Sequence, residues 1–178
     1  MTNWFTSDCH FGHENIIRYC GRPFHHCAEM DSTIITNWNE RVKPEDTVYF
    51  LGDFCFKKSK EAPLGSTSSD FYRKQLNGNI IFIAGNHDHN NGIKSIILSM
   101  IVEYGGQKML MIHDPGKIGN SCKYHIVLCG HVHEKWRFKK LDKSTTLINV
   151  GQDVWNFKPQ TITEIMSGYA KWNKGEGK

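Results

Sequence analysis

Short apolar runs, each closed by a glycine, aspartate or histidine, recur along the chain. They are rich in β-branched and aromatic side chains, which is typical of buried strands. The pattern predicts strands over residues 3–6, 47–51, 80–84, 109–112 and 125–129. Two further β segments, residues 136–141 and 145–150, flank a predicted turn at 142–144. Gly105-Gly106 predicts a two-residue hairpin loop between residues 102–104 and 108–112.

Apolar residues at helical spacing lie between several of these strands. They recur every four positions from Met30 to Val42, which predicts one buried face of a helix that stops before Pro44. A second helix is predicted over residues 69–76. A third begins at Thr161, which is expected to form a capping box with Glu164. Helices between strands early in the chain and a β-rich later part predict an α/β protein with mixed sheets.

Length and composition limit the classes of protein to which the chain can belong. The 178 residues suffice for one domain, so residues 1–178 are expected to form a single unit. An apolar content of 39% excludes an intrinsically disordered chain. No apolar run approaches the ~20 residues of a membrane helix, and the first residues lack the features of a signal peptide. The chain is therefore expected to be cytoplasmic, without a membrane partner.

The charge limits the classes of binding partner, and the cysteine content indicates the state of the thiols. The 22 basic and 18 acidic residues leave a formal charge of +4, and the excess is spread along the chain. A protein that binds nucleic acid through its phosphates shows a denser basic stripe, so nucleic acid is expected only as a substrate. The six cysteines contain no Cys-x-x-Cys pair and are expected to be reduced thiols.

Metal-binding residue types follow five of the predicted strands. The carboxyl ends of strands in α/β sheets converge at one rim, so these residues are expected to meet there. They are Asp8 and His10; Asp53; Asn86, His87 and Asp88; His113; and His131 and His133. A metal site is the simplest common cause of five such strand endings.

A pair of divalent ions accounts for the residue types. Imidazole, carboxylate and amide oxygen together suit borderline transition metals, here Mn²⁺, Fe²⁺, Zn²⁺ or Ni²⁺, with Mn²⁺ favoured. Two ions about 3.5–4 Å apart need a bridging carboxylate, and Asp53 lies in the middle of the set. Gly52, Gly85 and Gly130 are expected to allow the close backbone approach that the strand ends require.

The motifs, in this order, resemble those of the calcineurin-like metallophosphoesterases. The match covers roughly residues 3–155 and is closest to small bacterial and phage members without an accessory domain. Its motifs are Asp8-x-His10, Gly52-Asp53, Gly85-Asn86-His87-Asp88, His113 and Gly130-His131-x-His133. The resemblance implies a four-layer α/β/β/α sandwich of two mixed sheets flanked by helices, with two metal ions at the rim.

The same resemblance implies a role for each residue. His87 is implied to protonate the leaving oxygen, while a hydroxide shared by the metals attacks phosphorus in line. The implied ligands of one ion are Asp8, His10, Asp53 and His133, and those of the other are Asp53, Asn86, His113 and His131.

For three residues in or near this set, the sequence leaves two alternatives each. His13 either contacts the substrate phosphate or starts a helix. Arg22 either binds phosphate bidentately or is a solvated surface residue. His87 is expected to be oriented by Asp88 or by a backbone carbonyl.

The predicted function is hydrolysis of a small phosphate ester. Diesters, including cyclic nucleotides, are favoured because the short chain leaves no room for a large capping domain over the site. A phosphomonoesterase is the alternative of the same fold. A metal-free scaffold that binds partner proteins is the alternative from another class. Residues 57–69 are predicted to form a loop, which either covers the site or leaves it open.

Overall fold

The computed structural model describes residues 1–176 and contains two mixed β-sheets with flanking helices. The α/β class and the pair of mixed sheets predicted from the sequence are thereby confirmed. The elements in chain order are β1 (Asn3–Thr6), α1 (Glu14–Tyr19), α2 (Cys27–Asn39), β2 (Thr47–Leu51), α3 (Ser68–Arg73), β3 (Asn79–Ile83), β4 (Ser99–Tyr104), β5 (Gln107–Ile112), β6 (Ile126–Cys129), β7 (Phe138–Lys140), β8 (Thr146–Asn149), β9 (Gln160–Thr161) and α4 (Ile162–Asn173).

Each sheet has a parallel centre. The first has the order β3-β2-β1-β9, in which β1, β2 and β3 are parallel and β9 is antiparallel to β1. The second has the order β4-β5-β6-β8-β7, with β5, β6 and β8 parallel and the two edge strands antiparallel. A β-bridge between Ser7 and Gly151 joins the carboxyl ends of β1 and β8, so the two parallel centres share one rim.

Both faces of each sheet carry apolar residues, which is why the strands read as continuous apolar runs. Met109 and Met111 of β5 enter the core between the sheets, whereas Leu110 and Ile112 pack on the outer face. The core between the sheets includes Phe5, Leu51, Ile83, Met109, Met111, Leu128 and Ile148.

The outer faces are covered in different ways. Helices α2 and α3 lie on the outer side of the first sheet, where Ile34 and Trp38 are fully buried. Ile118, in a 3₁₀ turn, and Trp136 pack on the outer side of the second sheet. Ile165 of α4 is buried with the core between the sheets.

Most predicted elements are present, with shifts at their ends. Helix α2 begins at Cys27, where the His26 side chain caps it, and ends at Asn39 rather than at residue 42. Val42 is nevertheless buried, and its N–H bonds to the Trp38 carbonyl at 2.8 Å. The predicted capping box at Thr161 is formed. The hairpin glycines 105 and 106 both have positive φ.

The two-residue strand β9 was not predicted, and the short helix α1 was anticipated only as one of the two alternatives for His13. No helix within residues 1–176 combines the length and the hydropathy needed to cross a bilayer.

Candidate metal centre

The residues that follow the parallel strands meet at the shared rim. Hydrogen bonds join the loops: Asp8 N–H donates to the Gly52 carbonyl at 3.0 Å, and Gly130 N–H donates to the His113 carbonyl at 3.0 Å. The two sheets are joined as well, because the Asp8 carboxylate accepts from His131 N–H at 3.0 Å. Side chains from both sheets therefore face one another across the rim.

One group of ligand atoms comes from the β1 and β6 loops. The ligand atoms of Asp8, His10 and His133 lie within 4.8 Å of one another. Asp8 is fully buried and its carboxylate also accepts from the Ser7 hydroxyl at 2.5 Å. The His10 and His133 ring centroids are 5.1 Å apart.

A second group comes from the β2, β3, β5 and β6 loops. The ligand atoms of Asp53, His113 and His131 lie within 4.8 Å of one another. Asn86 Oδ1 lies 2.9 Å from His113 Nε2 and 3.0 Å from His131 Nδ1. His113 Nδ1 lies 2.6 Å from the Leu51 carbonyl, to which it donates, so Nε2 is the nitrogen available to a metal.

Asp53 lies between the two groups. Its Oδ2 is 3.7 Å from His10 Nε2 and 3.4 Å from His113 Nε2. Burial alone would raise the pKa of Asp53, but the hydrogen bond and charge of His113, and the charge of His10, hold that pKa below its ordinary value. The carboxylate is thus ionised and within reach of both groups.

The site contains ligand atoms for two cations, and it contains a buried ring nitrogen that a cation would satisfy. His10 Nε2 is buried and has no hydrogen-bond partner among residues 1–176. Burial raises the pKa of Asp8 and lowers that of His10 well below its ordinary value. A neutral imidazole with a free nitrogen, beside two buried carboxylates, fits a divalent cation.

The loop backbone is close-packed beneath the ligands. A Cβ on Gly52 would lie 2.6 Å from His113 Nδ1, and a Cβ on Gly130 would lie 2.5 Å from Asp8 Oδ2. A Cβ on Gly85 would overlap the Asp53 carboxylate and main-chain nitrogen. The close approach predicted for these three glycines is confirmed.

A family model described as the calcineurin-like phosphoesterase superfamily domain matches residues 1–167 of this chain. The chain belongs to the calcineurin-like phosphoesterase superfamily. The resemblance stated from the motifs is therefore confirmed, and membership supports a metal-dependent phosphoesterase in general terms.

The calcineurin-like chain is similar along nearly its whole length to two other proteins. The uncharacterized protein MJ1445 of Methanocaldococcus jannaschii is 36% identical over 165 residues, which cover 92% of this chain and 88% of that protein. The crystal structure of AQ665 of Aquifex aeolicus, a protein of unknown function, superposes with a TM-score of 0.68 at 27% identity, covering 93% of this chain and 97% of that chain. The gene 66 protein of Mycobacterium phage L5 is 36% identical over 91 residues, or 49% of this chain and 41% of that protein.

Many of the candidate ligands of this calcineurin-like site have left-handed backbone. Within residues 1–176, seven residues other than glycine have positive φ. Two of them, Asn156 and Phe157, lie outside the ligand set. The other five are Asp8, His10, Asp53, His131 and His133, with φ between +50° and +71°. Such conformations are costly and persist where the surrounding structure enforces them, commonly at functional sites.

Arg22 is not placed to bind substrate, and the phosphate contact expected of it is wrong. Its side chain is fully buried, and its guanidinium is bonded to Asp153 through Nε at 2.8 Å and Nη2 at 3.0 Å. The other donors reach the Asp8 and Cys9 carbonyls and the Met30 sulfur. All five N–H donors of the guanidinium are thereby used.

Asp153 connects Arg22 to a candidate ligand. Its Oδ2 lies 3.1 Å from His133 Nδ1, which leaves His133 Nε2 as the nitrogen available to a metal. Burial opposes protonation of His133, but the hydrogen bond to Asp153 raises the His133 pKa to about 10. The contact of Asp153 with His133 was not predicted from the sequence. No local pattern joins it to Arg22, which lies 131 residues away.

His87 and His13 border the first group. The His87 side chain is exposed, with its ring centroid 6.0 Å from that of His10. The main-chain N–H of His87 donates to Asp53 Oδ1 at 3.0 Å. The His13 centroid is 5.7 Å from that of His10. His13 also precedes the first residue of α1, which is the helix-start alternative.

Asp88 has a different role from the orientation of His87 expected of it. It is buried, and its carboxylate accepts from the main-chain N–H groups of Asp53, Phe54 and Gly85 at 2.8–3.0 Å. Asp88 therefore fixes the β2 and β3 loops relative to each other.

Proposed function

We propose that this chain is a dinuclear-metal-dependent phosphodiesterase acting on a small phosphate diester. The observation that carries the proposal is the pair of ligand groups, in which Asp53 of the second group lies 3.7 Å from His10 of the first. The exposed side chain of His87 lies beside them. When bound, two divalent ions, Mn²⁺ favoured over Fe²⁺, Zn²⁺ or Ni²⁺, would supply Lewis-acid charge to the phosphoryl oxygens.

The chain's own residues would divide the work as follows. Asp53 would bridge the two ions, which lowers their mutual repulsion. Asn86, His113 and His131 would complete one site, and Asp8, His10 and His133 the other. The ring of His87, whose centroid is 6.0 Å from that of His10 and which belongs to neither group, would donate a proton to the departing oxygen.

Diester preference is proposed from the access to the site. Asn86, His87 and His131 are exposed at the rim. A diester carries an organic group on each side of its phosphate and therefore needs open access to the site. A monoester carries only one organic group and does not need it. A phosphomonoesterase is the second candidate. A protein-binding scaffold without metal is disfavoured by the complete set of ligands.

We further propose that residues 1–178 act as one domain in the cytoplasm. All six cysteines are free thiols, and a reducing compartment keeps them so.

The test of the proposed function is a hydrolysis screen with His87→Ala. Wild-type protein loaded with Mn²⁺, Fe²⁺, Zn²⁺ or Ni²⁺ is assayed on dialkyl and nucleoside diesters, on p-nitrophenyl diesters and on monoesters. General-acid help is worth roughly 10²–10⁴-fold when the leaving group is poor. His87→Ala should therefore lose that factor on alkyl and nucleoside diesters and much less on p-nitrophenyl esters.

The matched control is His89→Ala, which removes an exposed imidazole two residues away. Metal content is measured in both variants and should equal that of the wild type. Equal losses on both ester types would remove His87 as the acid. Higher kcat/KM on monoesters would favour the second candidate, and protein that takes up no metal and hydrolyses no ester would favour the scaffold.

A further inference from the structure

A cavity of about 410 Å³ opens beside the metal centre, on the side where His13 lies. Its walls are residues 12–15, the start of α2 at residues 26–28, Phe56, and residues 58–61. His13 borders both the cavity and the centre, since its ring is 5.7 Å from that of His10. A substrate with its phosphate at the centre can therefore extend its organic group into this cavity.

An aromatic ring forms part of the cavity wall. Phe56 stacks on His13 with centroids 4.8 Å apart and an interplanar angle of 12°. The residue is still 43% exposed, although one ring face is covered by His13. The Tyr19 ring lies edge-on to the His13 ring, with the two centroids 6.3 Å apart. A flat ring that is held by a stacking partner and lines a cavity offers a surface on which a further planar ring can stack.

The wall is held in place before any ligand arrives. Phe56 N–H donates to the Phe11 carbonyl at 2.7 Å, and the Ser59 hydroxyl lies 2.6 Å from the Tyr72 hydroxyl. Ser59 also approaches Gly12 closely, since a Cβ there would lie 2.5 Å from Ser59 Cβ. A wall that is already ordered loses little conformational entropy when a ligand binds, which favours affinity.

The charges at the cavity favour an uncharged organic group. Lys58 and Lys60 are balanced by Glu14 and Glu61, so the lining has no excess of charge to attract a second phosphate. The Glu14 carboxylate is also engaged, because it accepts from Cys27 N–H at 3.1 Å. The volume falls within the roughly 300–1,000 Å³ of small-molecule sites.

We propose that this cavity binds the nucleobase of a nucleoside phosphate ester, stacked on Phe56. The proposal rests on the proposed function, because the metal centre must hold the phosphate. It names the substrate class: nucleoside esters over simple alkyl esters of the same phosphate.

The test compares adenosine 5′-monophosphate with methyl phosphate as ligands of the Mn²⁺-loaded protein, by titration calorimetry. Stacking of a base on an aromatic side chain should make the nucleotide bind roughly 5- to 150-fold more tightly than methyl phosphate. Phe56→Ala should abolish this advantage and leave methyl phosphate binding unchanged. Phe56→Trp should keep it, because a flat face remains.

The control variant is Leu64→Ala, which removes a fully exposed apolar side chain from the same loop but outside the cavity lining. It should bind both ligands as the wild type does. Equal weakening of both ligands by Phe56→Ala, or equal wild-type affinity for both, would overturn the nucleobase site. Metal-dependent binding of methyl phosphate would still uphold the proposed function in those cases. Absence of such binding in the wild type would overturn the proposed function, and the nucleobase site with it.

Discussion

His131 is exposed, and its φ of +71° is one that residues other than glycine seldom adopt. Four other candidate ligands share this left-handed backbone, so the geometry that presents the ligands opposes the stability of the chain. The cost is intrinsic to each residue and can be measured by removing a single Cβ.

For the metal-free protein, we expect His131→Gly to be more stable than His131→Ala by about 0.5–1 kcal/mol. The reason is that left-handed backbone penalises alanine but not glycine, by more than the extra entropy of unfolded glycine. Urea unfolding of both variants in chelator measures the difference. The control pair is His125→Gly and His125→Ala, at an exposed residue without positive φ, where alanine should be the more stable. The same order of stability at both positions would contradict the strain.

Asp153 should act on the metal through His133. Asp153→Asn removes the charge that orients the His133 ring, so affinity for metal should fall roughly 10–100-fold. A competition titration against a metal-binding dye measures this, and near-UV circular dichroism checks that the core is intact. Asp114→Asn is the matched control and should keep its affinity, because this residue lies beside His113 and its carboxylate accepts from Gly116 N–H at 2.8 Å. Wild-type affinity in a folded Asp153→Asn would rule out this orienting role.

At the scale of elements, the site depends on how closely the strand-end loops approach. Gly85 lies against Asp53, where a Cβ has no space, although its φ is not positive. A substitution there therefore tests packing of the loops and not backbone strain.

We expect Gly85→Ala to separate the β2 and β3 loops and to lower the metal content at one or both sites. Elemental analysis of the purified variant gives the number of ions per chain. Gly116→Ala is the control, because the nearest atoms to its Cβ would be those of the Asp114 side chain, the first at 3.1 Å. Full metal occupancy in Gly85→Ala would show that the loops can shift without loss of the site.

Elements with local signals were predictable, and those held by distant contacts were not. The ligand order follows strand ends and could be read directly, as could the capping box at Thr161. Helix α1 has six residues and no side-chain cap, and its first residue is held by a bond from Cys27 N–H to Glu14. The buried contact of Arg22 with Asp153 spans 131 residues, so nothing local distinguished Arg22 from a surface arginine.

At the scale of the molecule, protons and metal compete for the same histidines. Burial opposes protonation of His113, but the hydrogen bond and charge of Asp53 raise the His113 pKa to about 9, as Asp153 raises that of His133 to about 10. A histidine whose pKa is raised by folding stabilises the folded chain while it is protonated. In the metal-free chain this stability is fully present below the pKa of about 6.5 in the unfolded state, and it is lost as pH rises through about 9–10.

We therefore expect the metal-free chain to lose thermal stability between about pH 7 and 10. Metal must displace the protons on His113 and His133, so stabilisation by added Mn²⁺ should grow over the same range and vanish below about pH 6. Thermal unfolding with and without Mn²⁺ at several pH values measures both trends. A metal-free melting temperature that rises from pH 7 to 10 would contradict the ion pairs.

The two sheets meet at the rim through residues far apart in sequence, such as Asp8 and His131, which are separated by 123 positions. A cation held by ligands from both sheets is a reversible cross-link between them. A cross-link that closes so long a loop restricts the unfolded chain strongly. Chelation would release that restriction all at once. Amide hydrogen exchange should then quicken in β1, β2 and β6 together, because removing one link frees both sheets.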